Sequence, residues 1–134
     1  MTELDKAIAA AYTSEGKQDD VNKVYLTLLR TELFVPVQKD RVPDDEEAFR
    51  PLFANIDDNY FMLAFDTIER LTMWAGDQFS NIDYVELSGR DVIAGMNEKV
   101  FLCLNLGTDF YKEFQPDEIL QLKKIVARID QLKP

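Results

Sequence analysis

Val100-Phe101-Leu102-Cys103-Leu104 is apolar at every position. A strand with one wet face alternates, so an unbroken run of this kind reads as a strand covered on both sides. A chain that contains it must supply a packing layer on each face of its sheet. The 134 residues amount to one ordinary domain. A domain of that size buries roughly 68% of the surface its unfolded chain exposes, so neither a metal nor a disulfide is needed as a staple.

The rest of the chain alternates between two periods. Thr2 caps a helix reaching about Thr13, with Leu4, Ala7, Ile8, Ala11 and Tyr12 on one face. After a break at Ser14–Gln18, Val21, Val24, Tyr25, Leu28 and Leu29 follow the spacing of a core-facing helix that ends near Thr31. Leu33–Val37 reads as a strand, at an edge because Pro36 has no N–H. Pro51–Ile56 and Tyr60–Phe65 form a hairpin about Asp57-Asp58-Asn59. Asp66 or Thr67 caps a helix with Ile68, Leu71 and Ala75 inward, stopped by Gly76. Tyr84–Leu87 is a strand, and Ser88 caps a short helix burying Val92, Ile93 and Met96. Pro116 opens the last helix, where Ile119, Leu122, Val126 and Ile129 face the core. The expected fold is a single α+β domain: a mixed β-sheet of about five strands with helices packed on it, preceded by an N-terminal helical pair. Residues 1–17 read as a helix and linker, and 18–134 as the domain proper. The linker permits exchange of the first helix between protomers, and so a homodimer.

Fifteen basic residues against 25 acidic ones leave a formal charge of −10. Such a surface repels phosphate backbones and anionic lipid, which argues against nucleic acid and membrane as partners. No apolar run approaches the ~18 residues of a membrane span, and no signal peptide is evident, so the expected compartment is the cytoplasm. A single cysteine fits a reducing environment. There is no histidine, which removes the commonest general base and metal ligand together. Phosphate-loop, dinucleotide, nucleophile-elbow and C-x-x-C motifs are absent. No catalytic residue, metal or cofactor is expected. Cys103, inside its apolar strand, reads as a packed hydrophobe rather than a nucleophile.

The candidates for function are therefore binding residues. Asn105, Gly107 and Thr108 follow the central strand, where crevices in such sheets form. Phe79, Phe110 and Tyr111 stand in polar loops, where an aromatic either caps the sheet or marks a binding patch. Phe110 and Tyr111 are the expected anchors, and Trp74, on the helix that Gly76 stops, is a further binding candidate. Asp44, Asp45, Glu46 and Glu47 form an acidic loop able to steer a partner, or simply a solvated one.

Three stretches carry a family resemblance: Leu29–Val37, Tyr60–Leu71, and Leu104-Asn105-Leu106-Gly107 followed by Phe114–Ile119. Their order is similar to the N-terminal domain of SseB-like proteins, with Leu106 where that family often has proline. The family is named for an enhanced-serine-sensitivity phenotype and shares its label with a type III secretion component. The resemblance implies an α+β sheet domain in the bacterial cytoplasm and brings no catalytic residues. The function expected from all this is a non-catalytic module that binds a protein or peptide. The competing expectation is a regulatory domain for an amino acid or other metabolite.

Overall fold

The computed structural model of the protein describes residues 2–38 and 53–132. Thr2 is the N-cap of α1 (Glu3–Thr13), and its hydroxyl accepts from the Asp5 amide while the Asp5 carboxylate accepts from Thr2 N–H. This reciprocal capping box satisfies two donors that a helix start leaves open. Gly16, at φ +83, turns the chain into α2 (Gln18–Arg30), which starts slightly earlier than its stripe suggested. Strand β1 (Glu32–Gln38) pairs antiparallel with β4 (Ile82–Ser88) and with no other full strand among the described residues. A single bridge, Phe34 to Phe65, ties this ribbon to the second sheet. Phe34 N–H points at Phe65, and N–H groups two residues apart point the same way. The missing N–H of Pro36 therefore falls on the side of β1 opposite β4, beyond the bridge.

The second sheet runs β2 (Phe53–Ile56), β3 (Asn59–Ala64), β5 (Phe101–Leu104), β6 (Lys112–Phe114). β2 and β3 are joined by a two-residue turn, Asp57-Asp58, at φ 52 and 67. Positive φ at both central residues is what a hairpin of the primed type requires, and aspartate tolerates it. β3 and β5 are parallel and central; β5 and β6 are antiparallel. The sheet is thus mixed, as expected, but its strands are split into a pair and a quartet. β6 was not anticipated: three residues are too few to show a period.

The unbroken apolar run does lie between two layers. Leu102 and Leu104 enter the larger core with Leu4 and Ile8 of α1, Val24 and Leu28 of α2, α4 (Gly89–Gly95) and α5 (Pro116–Leu132). Cys103 faces the other way, into a smaller core with Leu63, Phe65 and Leu71 of α3 (Ile68–Ala75). Phe79, on a 3-10 helix from Gly76 to Asn81, packs against this second core. The caps at Thr67 and Ser88 are those read from the sequence, each accepting a backbone N–H three residues on. The first helix packs on its own chain, its Leu4 and Ala7 fully enclosed.

Candidate functional site

The parallel pair β3 and β5 ends at one edge of the sheet, where the chain leaves through Phe65-Asp66 and Asn105. Asn105 is completely buried at φ +59, a conformation that asparagine tolerates better than most residues. Its Oδ1 accepts from Asp66 N–H at 3.1 Å, and its own N–H donates to Ala64 O at 2.8 Å. The Nδ2 group has no hydrogen-bond partner among the described residues. The Thr108 hydroxyl donates to Asn105 O and accepts from Phe110 N–H, closing the turn. Gly107 lies against Trp74, a Cβ there falling 3.6 Å from the indole, and Trp74 packs on Phe65.

Arg70 holds this corner to α1. Its guanidinium donates to both oxygens of Asp5, at 2.9 and 2.6 Å, and to Asp66 at 2.7 Å. The Asp66 carboxylate also accepts from the Thr2 hydroxyl. Phe110 completes the cluster, its ring centre 4.2 Å from the guanidinium carbon. The side chains of Asp5 and Asp66 are 1% and 0% exposed, and that of Arg70 only 13%. One cation between two carboxylates leaves a surplus negative charge. It sits where the N-termini of α1 and α3 both converge, and helix dipoles favour anions there. Burial pushes the Asp5 carboxyl up, but Arg70 and the Thr2 bonds outweigh it and hold it below its ordinary value of 3.8. Every strong group in this cluster is thereby used in joining α1, α3 and the turn after β5.

The structure thus gathers Trp74, Asn105, Gly107, Thr108 and Phe110 at one corner. Tyr111 instead meets Cys103 in the middle of β5, its hydroxyl 3.7 Å from Cys103 Sγ on the face of the smaller core. The acidic residues Asp44 to Glu47 lie outside the described residues. Burial pushes the Cys103 thiol up, the Tyr111 contact works against it, and the charge of Glu113 adds to the rise. A thiol so held is a poor nucleophile. Ellman's reagent should therefore label the native protein about a hundredfold more slowly than the urea-unfolded chain at pH 8. Comparable rates would place Cys103 in reach of solvent and reopen its chemistry. Among the described residues no group of three or more His, Cys, Asp or Glu is placed to hold a metal ion.

A second region was not legible as a site. Between α1, α2, β6 and the start of α5 lies a mostly apolar hollow of about 270 Å³. Ile8, Ala11 and Tyr12 form one wall and Val21, Val24 and Tyr25 the other, with Glu15, Lys112 and Glu118 at the rim. Tyr12 was expected to face the core with the rest of its stripe and is instead 70% exposed. The stripe on α1 runs one turn past the point where α2 covers it. Glu118 is held on several sides: Tyr25 Oη donates to it at 3.1 Å, Gln115 N–H donates to it, and Lys112 Nζ lies 3.9 Å away. Burial, then the neighbouring charges of Glu118 and Asp117, keep the Tyr25 phenol well above its usual range, so it stays a donor. Val21 and Tyr25 sit on the stripe that the sequence marks as buried. How far α1 and α5 diverge above them is a tertiary quantity, and periodicity carries no signal of it.

The model of the SseB protein N-terminal domain matches residues 4–121. The chain belongs to the SseB N-terminal domain family. No curated protein and no solved structure matches it significantly. In this SseB domain the matched span includes nearly all of α1, then α2, both sheets and the start of α5, so the hollow and Arg70 with both its aspartates lie within it. No helix among the described residues is long and apolar enough to cross a membrane.

Proposed function

We propose that the protein is a non-catalytic, cytoplasmic module that binds a protein or peptide, and that the hollow between α1 and α2 is where it does so. The observation that carries this reading is the uncovered apolar surface of Tyr12, Ala11 and Val21 around a hollow of about 270 Å³. Binding sites are concave and mostly apolar with a few polar groups at the rim, and this hollow has that composition. Its size suits one inserted side chain better than a whole drug-sized ligand, whose pockets run from about 300 Å³ upward. A free amino acid is the second reading. Lys112 and Glu118 supply a cation and an anion at one rim, the pair of charges that a zwitterion matches.

The test compares proteins retained from bacterial lysate by the wild-type chain and by Val21→Asp, with equal thermal melts as the condition for comparison. A specific protein held by the first and lost from the second supports the module. Retention by both would remove the hollow from the binding surface. If instead an amino acid raises the melting temperature of the wild type alone, the second reading replaces the first. At a ligand concentration of 100 Kd the gain is about 2.7 kcal/mol.

A further inference from the structure

The apolar hollow does not end at α2. Val21 and Tyr25 also line a second, more polar hollow of about 510 Å³ between α2 and α5. The two adjoin across those side chains and make one groove over the N-terminal half of α2. The α5 side of the groove carries Lys124 and Arg128, both exposed. Neither has a hydrogen bond or ion pair to another described residue, whereas Arg90 is engaged by Asp91 and Asp130. Among the described residues no carboxylate lines this second hollow. In a chain with 25 acidic residues against 15 basic ones, this half of the groove, with two uncommitted cations and no acid among its described lining residues, is a local reversal of sign; the acids Glu15 and Glu118 stand at the other half, beside α1.

We propose that this groove takes an acidic segment of a partner protein, which buries one aromatic or large aliphatic side chain in the hollow beside α1. The segment's carboxylates lie on Lys124 and Arg128. This rests on the protein-binding reading above and specifies the partner's chemistry. The net charge opposes approach of an acidic partner at long range. Beyond a Debye length of about 8 Å at physiological salt that repulsion is largely screened, while charges in contact are screened less. Apolar insertion then supplies affinity, and the cations set orientation and exclude basic segments.

The test is selection of a displayed library of random 12-residue peptides on the full chain. The expected winners carry Asp or Glu next to Phe, Trp or Leu. Their dissociation constants should rise roughly tenfold in Lys124→Glu/Arg128→Glu, a surface change that leaves the fold intact. They should also rise with added salt, and binding should be lost in Val21→Asp. Winners that are neutral or basic, yet lost in Val21→Asp, would overturn the acidic assignment and leave the groove as the binding surface. Winners indifferent to both variants would overturn the assignment and the groove together, as would a library that enriches nothing. Self-association of the chain abolished by Val21→Asp would assign the groove to a second copy and overturn the partner segment.

Discussion

Replacing Arg70 by Met should cost about 3–5 kcal/mol of unfolding free energy at pH 7, the largest loss expected from a single charged side chain here. The reason is what remains. Asp5 and Asp66 stay buried under α1 and α3, and the guanidinium that donated three hydrogen bonds to them is gone. Removing one partner from a buried pair exposes the full cost of the other's desolvation. Arg70→Lys should recover only part of the loss, because an ammonium cannot reach both oxygens of Asp5 and Asp66 together. Phe110 also loses the cation over its ring. Urea titrations of the three proteins measure this. A loss below about 1 kcal/mol for Arg70→Met would mean that the cluster is as good as solvated.

The same cluster sets a pH dependence whose direction follows from Asp5. Its folded carboxyl lies below the ordinary 3.8, so the contribution is present above that value and lost as pH falls through the folded one. In Arg70→Met the opposite holds: burial then acts without the guanidinium, and protonation relieves it. The stability gap between wild type and variant should therefore narrow as the pH is lowered through about 4 and below. A gap that stays constant from pH 7 to pH 3 would show that Asp5 does not depend on Arg70.

Gly89→Ala should cost about 3 kcal/mol or more, from one added methyl group. Gly89 is buried where α4 starts against the C-terminal end of α2, and its N–H donates to Thr31 O at 2.7 Å. A Cβ would stand 1.9 Å from the carbonyl oxygen of Leu28 and 2.7 Å from its carbon. Both are backbone atoms, so no rotamer change makes room; the two helices must separate and strain the core around Leu28 and Ile93. Gly95 is the control within the same short helix. A Cβ there meets nothing within 4 Å, and Gly95→Ala should be neutral or stabilising by up to about 1 kcal/mol. Equal melting temperatures for the two alanine variants would mean that α4 can slide on α2 without loss.

Caps and stripes were readable because each depends on residues within one or two turns. Thr2, Thr67 and Ser88 each bond three residues ahead, and Pro116 opens α5 through its own fixed φ. The hairpin at Asp57-Asp58 is equally local. The unbroken run ending at Leu104 required two layers, and two cores meet on it. Other features join residues far apart in the chain. Asp5 and Arg70 are 65 positions apart, and nothing near Asp5 marks it among the 25 acidic residues as the one Arg70 will hold, whereas Asp66 stands only four residues before its cation. Gly89 lies next to a helix cap, where glycine is ordinary, and only the crossing of α4 over Leu28 makes it irreplaceable. The split of the strands into a pair and a quartet follows from a single bridge at Phe34 and Phe65.

The groove over Val21 and Tyr25 belongs to this second kind. A stripe at helical spacing states which face of α2 turns inward, and that much the residues determine alone. Whether a neighbouring helix then covers the whole stripe depends on crossing geometry, which is set by side chains on α1 and α5 as they pack on the sheet. Local chemistry thus decided the elements and the faces they bury. Packing between distant segments decided the pairing of Asp5 with Arg70, the close approach at Gly89 and the apolar surface left open.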